Sequence, residues 1–91
     1  MRYRDPLEPL FAPTIPYGKL VLRNMLRRRD LKSLTKIAKA ARIDFEKLKT
    51  FRAGRGDLSI PELKRLTQTL LYGLAEYHPD TDTLVSTVKH G

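Results

Sequence analysis

"TKIAKAARIDFEKLKTFRAG", residues 35–54, carries an apolar pattern at helical spacing that breaks once, at "ARID", and then resumes. Before the break, Leu34, Ile37, Ala38 and Ala41 stand at i, i+3, i+4 and i+7, the signature of one buried helical face. Ser33 is read as the cap of this helix, which spans about two turns. After the break, Asp44 is placed to cap a new helix. Ile43 before that cap and Leu48 inside the helix form a hydrophobic staple that fixes its entry angle. This helix, over about residues 44–53, should bury Leu48 and Phe51 and stop at Gly54, with Gly56 giving the chain freedom to turn.

The neighbouring segments extend the pattern. Residues 1–16 contain Pro6, Pro9, Pro13 and Pro16 without a period and read as an extended arm, whose Leu7, Leu10 and Phe11 are available to pack on the domain. A first helix is expected after Pro16 and to end near Arg29, with Leu20, Leu22, Met25 and Leu26 as its apolar stripe. In "LSIPELKRLTQTLLYGL", Ser59 and Glu62 make a capping box, Leu58 and Leu63 a second staple, and Pro61 sits in the first turn, where its missing N–H costs nothing. A helix should therefore start at Ile60, bury Leu63, Leu66, Leu70 and Leu74, and end between Tyr72 and Tyr77. The tail is open to three readings: a strand from Thr83 to Val88 that pairs across a dimer, a short helix capped by Asp82, or a disordered end. Order there is expected only in an oligomer.

Charge is concentrated where the helices are. Residues 19–55 hold 13 basic side chains against three acids, +10 within a chain whose net charge is +8. Such a cluster is the footprint of a polyanion binder, because each neutralised phosphate releases condensed counterions. The 91 residues suit one small domain. With no cysteine, neither a disulfide framework nor a thiolate metal site is available. His78 and His90 lie too far apart for a shared helical turn and read as surface histidines. No nucleophile–base pair or phosphate loop is present, and "RGD" at 55–57 reads as loop; no enzyme activity, catalytic residue, metal or cofactor is expected. No apolar run approaches the ~18–20 residues that span a bilayer, and "MRYRDPLEPLF" lacks a signal-peptide core. The expectation is a soluble, cytoplasmic, nucleoid-associated protein with no membrane partner.

Residues 31–71 resemble the lambda-repressor and Cro-like helix-turn-helix DNA-binding family, the XRE-type transcriptional regulators. The resemblance rests on Ser33, the Ile37–Ala38 pair, Ile43 in the turn, Leu48 within the second helix, Gly54 and the following "LSIPELKRLTQTLL". The chain departs from the family pattern at Arg42, where the turn usually has Gly, at Leu34 and at Arg52. The resemblance implies an all-α fold: a small lambda-repressor-like helix-turn-helix bundle of four to five helices over residues 17–77, flanked by the arm (1–16) and a tail (78–91) that is a candidate dimerisation segment.

It also implies a major-groove face on the second helix of the motif: Phe45, Glu46, Lys47, Lys49 and Thr50 as base-contact candidates. Phe45 has two readings, a thymine-methyl contact or a core residue closing over the arm. For Glu46, favourable charge at a helix N-terminus stands beside base readout. Ser33, Lys36, Lys39, Arg42, Arg52 and Arg55 are the phosphate-contact candidates. The expected function is a sequence-specific double-stranded DNA-binding transcriptional regulator, a repressor that binds a palindromic operator as a homodimer. Two alternatives remain. One is an antitoxin-like autoregulatory protein with a protein partner on its arm or tail, and the other is a non-specific nucleic-acid binder.

Overall fold

Each of three of the four helices is capped by the side chain of the residue just before it. The computed structural model describes residues 14–87 and contains β1 (Thr14–Pro16), α1 (Gly18–Arg27), α2 (Leu31–Ala41), α3 (Phe45–Arg52), α4 (Ile60–Leu70), β2 (Ala75–His78) and β3 (Thr83–Ser86). Asp44 accepts from the Lys47 N–H at 3.1 Å, as its position predicts. Ser59 and Glu62 form the full capping box, with Ser59 N–H donating to Glu62 at 2.7 Å and Glu62 N–H to Ser59 at 3.3 Å.

The start of α2 differs from the expectation. Asp30 is the cap, with extended backbone and a carboxylate that accepts from the Ser33 N–H at 2.8 Å. Ser33 therefore lies within the first turn, and α2 runs for 11 residues, about three turns.

The core lies among the helices. Leu22, Leu26, Leu34, Leu48, Phe51 and Leu66 have no exposed surface, and burial of each such side chain contributes ~1.5–3 kcal/mol. Ile43, Leu58 and Leu63 are buried as the two staples require. Leu20 is 50% exposed; two positions before Leu22, it points to the far side of α1. Leu74 is 56% exposed because the helix has already ended at Leu70, with Tyr72 and Gly73 in left-handed backbone.

The molecule is mixed α/β rather than all-α. Its three strands form one antiparallel sheet in the order β1-β3-β2, with Ile15 opposite Leu84 and Tyr77 also opposite Leu84. The tail thus finds order inside a single chain, as the central strand, because both flanking segments supply backbone partners and Tyr77 and Leu84 join the helical core. The end of the predicted arm, residues 14–16, is one of those flanking strands. The packing expected for Leu7, Leu10 and Phe11, and the placement of Val88 and His90, lie outside the described residues.

Asp82 caps a helix, but a remote one. Tyr17, which precedes α1, adopts φ 58° and offers no side-chain cap. Asp82 supplies it instead: its carboxylate accepts from Lys19 N–H at 3.0 Å and its carbonyl from Gly18 N–H at 2.7 Å. The same carboxylate oxygen accepts from the Tyr77 hydroxyl at 2.9 Å. Burial, reinforced by that hydrogen bond and the Asp82 charge, pushes the Tyr77 pKa up to about 12. The contact is close enough that a Cβ on Gly18 would lie 2.9 Å from Tyr77 Cε1.

Candidate nucleic-acid interface

Residues 42–44 alone connect α2 to α3. Arg42 adopts φ 56°, the left-handed conformation that Gly normally supplies. The Arg42 N–H donates to Lys39 O at 3.3 Å and the Ile43 N–H to Ala38 O at 2.9 Å, which closes the α2 C-terminus as a Schellman turn. Gly54, at φ 93°, does the same for α3: its N–H bonds Phe51 O at 3.1 Å and that of Arg55 bonds Thr50 O at 3.0 Å.

Between these two turns, Leu48 and Phe51 anchor α3 to the core and Glu46, Lys47, Lys49 and Thr50 are exposed. The four do different things. Lys49 lies 3.7 Å from Glu46 and 5.7 Å above the Phe45 ring. Thr50 donates its hydroxyl back to Glu46 O at 2.9 Å. Lys47 turns toward α4 and pairs with Glu62 at 2.9 Å. Burial raises the Glu62 pKa, but the hydrogen bonds from Lys47 and Ser59 outweigh it and hold the carboxyl below its ordinary range. Lys47 is thereby tied to the capping box of the next helix. Phe45 is half-buried and packs against the core.

The candidate phosphate contacts also divide. Lys36, Lys39, Arg42 and Arg55 are exposed and form no side-chain hydrogen bond or ion pair with another described residue. Ser33 is half-buried. Arg52 is engaged elsewhere: its Nε donates to Leu26 O at 3.1 Å and its Nη2 to Arg29 O at 2.9 Å, at the end of α1. Two of its five N–H donors are thus given to carbonyls at the end of α1, which ties this side chain to the fold.

Three further arginines act alike. Arg27 donates to Arg52 O at 3.1 Å; Arg23 donates to Phe51 O at 2.7 Å and lies 4.4 Å above the Phe51 ring; Arg65 donates to Ala41 O at 2.8 Å and Arg42 O at 3.1 Å.

A shallow groove of about 280 Å³ separates the start of α2 from the end of α3, lined by Leu31, Lys49, Thr50, Arg52, Ala53 and Arg55. Leu31, 52% exposed, is the residue the sequence reading missed here. It stands three positions before Leu34, in line with the apolar face of α2, but lies exposed in the first turn, and its neighbours across the groove give it significance. Exposed Lys32 follows it in the first turn. Chemically, this face offers cations at both rims and a short run of polar side chains on α3. No group of three or more His, Asp or Glu side chains placed to hold a metal ion occurs among the described residues, and no described helix is long and apolar enough to cross a membrane.

Compared with protein-family models, with curated proteins and with solved structures, the chain finds no match in any of the three.

Proposed function

We propose that the chain is a sequence-specific double-stranded DNA-binding regulator, a repressor that acts as a homodimer on a palindromic operator through α3. The observation that carries this reading is the division of labour on α3: Leu48 and Phe51 hold one side in the core, while Glu46, Lys49 and Thr50 stand exposed on the other, with exposed Arg42 and Arg55 in the turns at the two ends of the helix. The major groove of B-DNA, about 12 Å wide, accepts a helix presented in this way. Lys49 is suited to guanine acceptors, Glu46 to cytosine N4 and the Thr50 methyl to thymine. Lys36, Lys39, Arg42 and Arg55 are suited to the flanking phosphates. The resemblance of residues 31–71 to lambda-repressor-like regulators supports the same assignment.

The test is selection of bound fragments from a randomised duplex DNA pool at about 0.15 M salt, followed by sequencing. A two-fold symmetric motif with half-sites about 34 Å apart is the expected result. Salt-sensitive retention without any enriched motif would replace this reading with non-specific nucleic-acid binding, and no retention would remove nucleic acid altogether.

A further inference from the structure

The two edges of the sheet are unlike. Among the described residues, β1 forms one edge with three residues that include Pro16, which has no N–H to donate. β2 forms the other with Ala75, Glu76, Tyr77 and His78, none of them proline, so that the N–H groups not directed at β3 point outward. A groove of about 480 Å³ runs beside β2, walled by Lys64 and Gln68 of α4 on one side and by residues 76–80 on the other. Among the described residues the outer side of β2 has no strand partner, and its residues 76–78 border this groove. Tyr77 points into the core, and Glu76 and His78 flank it on the exposed face, 3.6 Å apart.

We propose that β2 pairs antiparallel with β2 of a second copy of this chain, about a two-fold axis at Tyr77, to give a continuous six-stranded sheet. The side chains select that register, because the His78 imidazole can donate to a Glu76 carboxylate whereas like groups cannot pair in this way. Centred on Tyr77, the pairing sets each Glu76 directly opposite His78 of the second copy, twice per interface. Centred on Glu76 it would oppose two carboxylates, and centred on His78 two imidazoles; a slip by one residue would also exchange the faces of the strand. The contact is isologous and closes on itself. A head-to-tail pairing of β1 with β2 would continue without limit, and Pro16 takes a donor away from that edge. The inference deepens the homodimer of the proposed function by naming its interface, and its test uses no DNA, so the two can fail separately.

The experiment is sedimentation velocity of the full chain across a concentration series, with circular dichroism to establish that each variant is folded. Both side chains are exposed, at 60% for Glu76 and 49% for His78, so substitution there leaves the core intact. The wild type should sediment as a monomer–dimer equilibrium. His78→Glu places carboxylate against carboxylate at both pairs and should weaken the dimer about tenfold or more. Adding Glu76→Lys restores opposite charge and should return the dissociation constant to near the wild-type value. A wild type that stays monomeric, a His78→Glu variant that dimerises as well as wild type, or a folded double variant that does not recover would each overturn the proposal.

Discussion

Arg27 and Arg52 close each other's helices. Arg27, the last residue of α1, donates to Arg52 O at 3.1 Å, and Arg52, the last residue of α3, donates to Leu26 O at 3.1 Å and Arg29 O at 2.9 Å. Two like charges are brought together because each finds the negative end of the other's helix. Arg52→Met should therefore lower stability by about 1–3 kcal/mol, read from a urea transition. If DNA is retained, Arg52→Met should leave the slope of log affinity against log salt unchanged, whereas Lys36→Ala should reduce it by about 0.9. An equal reduction in both would return Arg52 to the phosphate contacts.

Arg42 offers two separable readouts at one position. Left-handed backbone costs a residue with a Cβ about 1–2 kcal/mol, and glycine there loses about 0.5–1 kcal/mol in chain entropy. Arg42→Gly should thus gain about 0.5–1 kcal/mol in thermal or urea unfolding. The same substitution should weaken retention on random duplex DNA, since an exposed cation is lost. Unchanged retention would remove Arg42 from the contact set.

Lys49 is the sharpest test of base readout. Lys49→Ala should cost about 1–3 kcal/mol on a selected site and little on random DNA, measured by titration of both duplexes. Lys47→Ala should instead act on stability, through Glu62, because the 2.9 Å ion pair draws Lys47 toward α4. Equal losses on both DNAs would make Lys49 a phosphate contact.

Tyr77 gives a pH dependence with a definite sign. Its folded pKa of about 12 stands above the ordinary 10, so the folded chain holds this proton where the unfolded chain releases it. The contribution is complete below pH 10 and is lost as pH rises toward about 12. Tyr77→Phe should flatten this part of a stability-against-pH curve and cost about 1 kcal/mol at neutral pH through the lost hydrogen bond to Asp82.

Gly18 opposes two tendencies. In an isolated helix Gly→Ala is favourable by about 1 kcal/mol. Here the new methyl would meet Tyr77 Cε1 at 2.9 Å and the Thr83 carbonyl carbon at 3.3 Å. The clash involves backbone as well as a buried ring, so Gly18→Ala should destabilise by about 1–3 kcal/mol. A raised melting temperature would contradict the close approach of α1 to the sheet.

What could be read from sequence was local. The Ser59–Glu62 box, the Asp44 cap and the buried Leu48 all depend on partners within a turn or two of helix. Asp30 was passed over for Ser33 because both are good caps three positions apart, and only the extended backbone at Asp30 decides between them. β1 and β2 were hidden for another reason: three or four residues are too few for alternation to register, and Pro16 looks like part of a free arm until β3, one of the three readings of the tail, supplies a partner within the same chain. The arginine roles are longer-range still. Arg23, Arg27, Arg52 and Arg65 reach carbonyls 23 to 33 positions away, so a charge run read as a phosphate footprint is also a set of helix ends being closed.

The central place of β3 sets an order of events during synthesis. Helices α1 to α4 meet one another through contacts available as the chain emerges, but β1 must wait for residues 83–86 before it has a partner. The start of α1 must wait equally for Asp82, 63 positions after Lys19. A nascent chain halted before Asp82 therefore carries α1 without its cap and β1 with an unsatisfied edge, and the sheet closes only once residues 83–86 are available.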